Sequence, residues 1–295
     1  MKASLEEKYD HLCNIVRQAG SAIIAFSGGV DSTFLLKVCV DQMGKKAFAV
    51  TARSETYPER ELKEAEKLAG LIGGRHLIID TKELEAPGFS NNPPHRCFLC
   101  KSELFSKLKE IAKDQDIPWI FDGSNADDVG DFRPGRKAAR QLGVRSPLEE
   151  AGLGKEEIRA LSKMLNLPTW DKPAFACLSS RFPYHTEITE PALQQVEDAE
   201  DFLWNLGMRE FRVRHHDTIA RIELGAKELD LFWEGSQRDK IVKHFKSLGY
   251  KYVTLDLEGY RTGSMNETLN KKQLSFEDVR GSNRGAPQNN VQSRE

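Results

Sequence analysis

The run Ser27-Gly28-Gly29-Val30-Asp31-Ser32 carries the residue types that hold phosphate. It follows the apolar stretch Ala22-Ile23-Ile24-Ala25-Phe26 and precedes Thr33-Phe34-Leu35-Leu36, which predicts a buried strand, a Gly-Gly turn and a helix N-terminus in succession. Such a succession gathers several backbone N–H groups in one small concavity, where the helix dipole favours an anion. Two adjacent glycines let the backbone approach phosphate oxygens closely, and Ser27 and Ser32 add hydroxyl donors. Asp31 can help hold a divalent cation against the same phosphates. No Gly-x-x-x-x-Gly-Lys-Ser/Thr pattern occurs here, so this is not the kinase or GTPase type of phosphate cradle.

Sulfur offers a second chemistry. Cys97 and Cys100 form a C-x-x-C at the start of a predicted helix, one turn apart on one face, and Cys177 lies within Lys172-Pro173-Ala174-Phe175-Ala176-Cys177-Leu178-Ser179-Ser180-Arg181-Phe182-Pro183-Tyr184. A zinc finger needs a second pair, and a thioredoxin-type dithiol sits after the first strand. The spacings leave three readings open. They are a three-cysteine iron–sulfur cluster with one open iron, a structural zinc with His95 or His185 as fourth ligand, and three unrelated thiols. Cys13 and Cys39 fall on apolar helical faces and read as inert core.

The elements that must position these groups alternate through the first half. After a helix opened by Ser4 and Glu7 and the phosphate loop with its helix, which Gly44 ends, Lys46 to Ala52 reads as a second strand. A helix capped by Thr56 with Glu59 follows, then a strand from His76 to Asp80, a helix from about Cys97 and a strand at Trp119-Ile120-Phe121. This β-α order predicts an α/β fold with a doubly wound parallel sheet and its ligands at the carboxyl ends of the strands. Gly123 to Asp128 should then lie on the same rim as the phosphate loop, and a helix from Lys155 to Asn166 closes the unit.

The second half reads as a smaller α+β domain: a helix from Glu190 to Leu206, paired strands Glu210–His215 and Thr218–Leu224, a helix from about Ser236 to Leu248 and a strand from Tyr252 to Asp256. The expected division is 1–168 for the nucleotide domain and 169–265 for the substrate and sulfur-transfer domain. Residues 266–295, poor in apolar side chains, read as a disordered tail. Arg212 and Arg214 project from one side of their strand while Phe211 and Val213 face the core. Spacing alone favours a solvated face there.

Among 295 residues, 43 lysines and arginines face 45 acids, a net charge of −2, so no global field draws the chain to nucleic acid or membrane. No apolar run approaches the ~20 residues of a spanning helix. The N-terminus reads as a polar helix rather than a signal peptide, and five cysteines in such a chain argue against a disulfide framework. A cytoplasmic protein is expected.

The phosphate loop resembles that of the ATP pyrophosphatases, which split ATP into AMP and pyrophosphate and leave AMP on the substrate. A narrower resemblance rests on Asp122 to Asp128, Asp131-Phe132-Arg133-Pro134-Gly135, Gly143 to Leu148, Lys172 to Tyr184 and Phe211-Arg212-Val213-Arg214. These runs, reaching from the phosphate loop to about Arg261, are similar to the LarE sulfurtransferases, which help make the nickel-pincer nucleotide of lactate racemase. The resemblance implies ATP and Mg2+, with Ser27, Gly28, Gly29, Val30, Asp31 and Ser32 binding the pyrophosphate. It implies adenylation of a carboxylate of pyridinium-3,5-dicarboxylate mononucleotide, after which sulfur displaces AMP to give a thiocarboxylate.

Family members with only the cysteine matching Cys177 give up its sulfur. Those with three cysteines are expected to hold a four-iron four-sulfur cluster that carries an extra sulfide. Cys97, Cys100 and Cys177 match the second pattern, which calls for a sulfide donor. Arg212 and Arg214 become a clamp for the nucleotide phosphate, Arg181 a second anion-binding candidate, and Asp127, Asp128 and Asp131 candidate magnesium ligands. Homo-oligomers are implied. Two other functions compete: a cluster-dependent tRNA thiolase of the same fold, disfavoured by the neutral charge and missing zinc ribbons, and a non-catalytic adenine-nucleotide sensor.

Overall fold

Ser4 and Glu7 close a reciprocal capping box, with Ser4 N–H donating to Glu7 Oε2 at 2.7 Å and Glu7 N–H to Ser4 Oγ at 3.2 Å. That box starts α1 (Leu5–Ala19), whose Leu12, Ile15, Val16 and Ala19 are buried on one face. The computed structural model describes residues 3–129, 134–261 and 263–269. Of the expected tail, residues 266–268 belong to a short 3-10 turn (Ser264–Thr268), while residues 270–295, and Asp131, lie outside the described residues.

Next come β1 (Ala22–Ala25), α2 (Val30–Met43), β2 (Ala47–Arg53), α3 (Glu59–Ile72), β3 (Arg75–Asp80), α4 (Arg96–Asp114) and β4 (Trp119–Phe121). The four strands are parallel in the order β3-β2-β1-β4, with Ala22 opposite both Ala47 and Trp119. The chain leaves β1 toward β2 and later returns to its other side as β4. The strand order therefore reverses at β1, and a crevice opens at its carboxyl end. The two-residue period of β1 sends Ile24 into the core beneath α1 and α2, and Ile23 into the core beneath α4. Both faces are dry, which is why this strand reads as a continuous apolar run.

One expected boundary differs. Thr56 does not cap α3; Pro58 stands at the N-cap without a side-chain hydrogen bond. The fixed φ of proline prepares the helix start, and Thr56 is buried instead, its carbonyl accepting Leu178 N–H at 2.9 Å.

Three helices lead to the second half: α5 (Pro134–Gln141), α6 (Pro147–Glu150) and α7 (Lys155–Met164). Thr189 then caps α8 (Glu190–Asn205), followed by β5 (Phe211–His216), β6 (Ile219–Leu224), α9 (Ala226–Trp233), α10 (Gln237–Ser247) and β7 (Tyr252–Leu255). β5 and β6 are antiparallel, and β7 joins β6 in parallel. Leu203, Phe211, Val213, Ile222 and Phe245 form this region's core. Among the described residues no helix is long and apolar enough to cross a membrane.

Arg181 is the largest fully buried side chain, and Glu200 of α8 takes its guanidinium at two points, 2.8 and 2.9 Å. Burial pushes the Glu200 carboxyl up, but the charge and hydrogen bonds of Arg181 outweigh it and hold the group below its ordinary value. A depressed carboxyl stabilises the fold above its unfolded value and loses that contribution as pH falls through the folded one. Arg181→Met strands the buried carboxylate. It should cost about 3–5 kcal/mol at neutral pH and flatten the acid limb of the stability profile. Urea unfolding between neutral and acid pH measures both; a neutral-pH loss below about 1 kcal/mol contradicts the assignment.

Candidate active site

The phosphate loop connects β1 to α2 at the crevice. Gly29 caps α2 in an extended conformation with no side-chain cap, so the first-turn N–H groups are offered outward. Gly28 has φ 61°, and a Cβ there would stand 3.1 Å from the Ala65 backbone, so both conformation and space demand glycine. Ser32 Oγ donates to Gly29 O at 3.3 Å and lies 3.2 Å from Ser27 Oγ, which folds the two hydroxyls into the loop. Tyr57 adds an outside brace, its hydroxyl donating to Ser27 O at 2.8 Å.

The turn after β4 meets this loop, as the topology requires. A Cβ on Gly123 would stand 3.1 Å from Ser32 N. Beyond it Asp128 Oδ2 accepts Asn125 N–H at 3.1 Å and Asn125 Oδ1 accepts Asp127 N–H at 3.0 Å, so the acidic run is a self-capped turn. Asp127 Oδ2 receives the Lys155 N–H at 2.6 Å and caps α7. Lys155 Nζ reaches Asp31 Oδ2 at 2.6 Å, while Asp31 Oδ1 is buried with no partner among the described residues. Of the acids expected to hold magnesium, Asp31 is thus the one with an open oxygen on the loop, and Asp127 and Asp128 are engaged with backbone.

The Cys177 segment is strapped across the loop. Lys172 Nζ donates to Gly28 O at 3.2 Å and to the buried Glu61 Oε2 at 2.8 Å. Arg159 holds the carbonyls of Trp170 and Lys172, and Phe175 packs edge-on against Tyr57 with ring centroids 6.2 Å apart. Arginine donors also take the carbonyls of Ala174 (Arg212, 2.7 Å), Ala176 (Arg181, 2.7 Å) and Ser180 (Arg214, 2.8 Å). The strap's carbonyls point into guanidinium groups, and Cys177 itself is half-buried.

Cys97 and Cys100 sit in the first turn of α4, the former exposed and the latter half-buried. Burial pushes the Cys100 thiol well up, and Glu83, 3.7 Å away, adds to the rise. The charges of Cys177 and Cys97 add smaller contributions in the same direction. Among the described residues no three His, Cys, Asp or Glu side chains converge closely enough for one metal ion. The zinc arrangement with His95 or His185 is therefore not assembled. Three cysteine thiolates are the donor type that a four-iron cluster takes. Cys13 and Cys39 are buried in the first core, their thiols raised by burial.

The three arginines divide. Arg181 is held by Glu200, and Arg214 by Glu223 at 2.9 and 2.7 Å. Arg212 is only 8% exposed and has no carboxylate in ion-pair reach among the described residues; it lies 4.8 Å over the Tyr260 ring. Burial, then the charge of Arg181, pull its guanidinium below the ordinary value. The face of β5 that spacing assigned to solvent is covered, because the strap lies on it.

Chemistry this arrangement can do is phosphate capture at a helix N-terminus beside buried guanidinium groups and a cysteine-bearing segment. With a parallel sheet switching at β1, it defines an ATP-dependent enzyme of the ATP pyrophosphatase class. Residues 4–95 match the NAD synthase family model. An uncharacterized protein of Synechocystis sp. is 44% identical over 90% of this chain and 100% of its own. The pyridinium-3,5-bisthiocarboxylic acid mononucleotide synthase of Lactiplantibacillus plantarum is 38% identical over 92% of this chain and 99% of its own. An uncharacterized protein of Methanocaldococcus jannaschii is 30% identical over 89% and 96%. The chain belongs to the LarE family.

Sequence reasoning assigned no role to Tyr57, Glu61, Lys155 or Lys172. Lys172 falls inside a quoted motif, but nothing in its spacing announces that it meets Gly28, 144 residues away in sequence. Asp31→Ala should lower ATP-dependent pyrophosphate release about 100-fold or more while the thermal unfolding transition stays put, because it removes the one open acid of the loop. A folded variant with unchanged release contradicts the loop's role.

Proposed function

We propose that this protein adenylates a carboxylate of pyridinium-3,5-dicarboxylate mononucleotide with ATP and converts it to a thiocarboxylate, as a step in nickel-pincer nucleotide synthesis. The observation that carries this reading is the strap: Lys172 fastens the sulfur-bearing segment directly to the Gly28 carbonyl of the phosphate loop. Activation and sulfur delivery then occur within one crevice. A carboxylate resists sulfide because its leaving group is oxide. The mixed anhydride with AMP removes that obstacle, and pyrophosphate departs separately.

The N–H groups at the start of α2 and the hydroxyls of Ser27 and Ser32 bind the pyrophosphate portion, along with Gly28, Gly29 and Val30. Asp31 Oδ1 is the oxygen that suits the magnesium accompanying ATP, and Lys155 holds the other oxygen in place. Arg212, with no carboxylate of its own among the described residues, takes the phosphate of the acceptor, with Arg214 beside it. Arg181 supports the strap from below by holding the Ala176 and Cys177 carbonyls. Cys97, Cys100 and Cys177 would hold the four-iron cluster, which when bound supplies an iron-held sulfide that stays deprotonated near neutral pH. The chain's remaining task is to orient the acceptor and keep water off the acyl adenylate. A division near residue 168 would separate the activating half from the half that presents acceptor and sulfur, in a cytoplasmic homo-oligomer.

Pyrophosphate release separates the competitors. It should follow addition of pyridinium-3,5-dicarboxylate mononucleotide and not of tRNA. Release with tRNA, with retention on tRNA that weakens as salt rises, favours the thiolase. No release with any acceptor favours the nucleotide sensor. Cys97→Ala, Cys100→Ala and Cys177→Ala should each lose iron and sulfur transfer and keep a stoichiometric burst of pyrophosphate. Transfer lost in Cys177→Ala alone contradicts the three-cysteine arrangement.

A further inference from the structure

A second buried guanidinium without a carboxylate among the described residues, outside the three discussed above, stands beside Cys97. Arg96 opens α4 and is only 4% exposed, yet no carboxylate lies within ion-pair reach among the described residues. A buried charge without its counter-ion is costly, and a methionine would fill a similar volume without that cost. Its aim is fixed. Nη1 donates to Asn92 Oδ1 at 2.7 Å, and Asn92, fully buried at φ 50°, is itself anchored by donating to the Pro183 and Phe182 carbonyls at 2.7 and 3.2 Å. The guanidinium lies 4.9 Å over the Tyr184 ring, and its Nε–H is buried with no acceptor among the described residues. The donor is oriented and unanswered.

Its neighbours locate it. Arg96 and Cys97 are the first two residues of α4, and the Arg96 guanidinium stacks on Tyr184, in the same segment as Cys177. The Tyr184 hydroxyl donates to Asn266 Oδ1 at 3.0 Å. Two residues earlier Ser264 Oγ accepts from Arg214 at 3.1 Å, and Tyr260 lies under Arg212. One stretch of chain therefore touches the phosphate-clamp arginines at one end and the Arg96–Tyr184 pair at the other.

We propose that Arg96 is a specificity-determining anchor for a ring carboxylate of the pyridinium mononucleotide, a claim that rests on the acceptor reading above. The acceptor carries a phosphate and two carboxylates against one pyridinium charge. When one carboxylate turns toward ATP, the other needs a cation and hydrogen bonds. Arg212 serves the phosphate. Arg96, next to Cys97 in sequence and stacked on Tyr184, supplies a planar guanidinium whose Nε–H has no partner among the described residues.

Two probes distinguish this from a purely structural strut: nicotinic acid mononucleotide, which has one ring carboxylate, and nicotinamide mononucleotide, which has an amide in its place. Calorimetric titration of the full chain should show wild type preferring the acid by tenfold or more. Arg96→Gln should erase that preference by weakening the acid and leaving the amide within about twofold, whereas Arg212→Gln should weaken both alike. A preference retained in Arg96→Gln overturns the proposal. In wild type, independently of any variant's folding, the Arg96 Nε–H resonance should shift on adding the acid and not the amide; no shift, or the same shift with both, also overturns it. If wild type binds neither mononucleotide, the acceptor reading itself falls.

Discussion

Lys172 holds the molecule's two chemistries together. Its ammonium is shared between the Gly28 carbonyl in the phosphate loop and the Glu61 carboxylate on α3, and its own carbonyl is held by Arg159 of α7. Neither partner is well exposed, so the pair works at low effective dielectric, where a charged hydrogen bond is stronger than on the surface. From that anchor the strap runs over Tyr57, which braces the loop from outside, to Cys177. If the segment drifted, Cys177 would part from the nucleotide; if the loop drifted, Gly28 would lose the carbonyl contact that fixes the strap. The geometry of each depends on the other.

The second constraint is electrostatic. The strap offers a row of carbonyls to arginines that are buried beneath it, and two of those arginines are neutralised by Glu200 and Glu223. The third, Arg212, has no carboxylate in ion-pair reach among the described residues, and neither has Arg96, whose guanidinium donates to Asn92; the two stand at opposite ends of the stretch carrying Tyr260, Ser264 and Asn266. This local positive charge sits in a chain whose net charge is −2, with 45 acids against 43 bases.

Much of this was legible in the sequence because local signals coincide with the fold. The Ala22–Ala25 run, Gly28, the Ser4–Glu7 box and the alternating β-α periods each have a short-range cause, and each element formed near its expected limits. Helix α5 escaped notice because only Pro134, Ala138 and Ala139 are buried along it, too weak an apolar stripe to register. α9 was missed between a strand and the next helix, with Phe232 as its single buried residue. Charge was the least legible property. Arg212 and Arg214 alternate with core residues as a solvated face does, and nothing nearby in sequence tells that the strap covers them or that Glu223 pairs with only one. Lys155 and Lys172 read as ordinary surface lysines until the fold brings Asp31 and Gly28 to them.

The central claim is that ATP activation and renewable sulfur delivery meet at Cys177 within one crevice. The most direct measurement is to supply anaerobically purified protein with ATP, pyridinium-3,5-dicarboxylate mononucleotide and sulfide, then compare AMP and thiocarboxylate yields and weigh the protein. The account predicts several equivalents of thiocarboxylate, one AMP for each, and an unchanged protein mass. A single equivalent of product, with the chain lighter by about 34 Da through conversion of Cys177 to dehydroalanine, would contradict it.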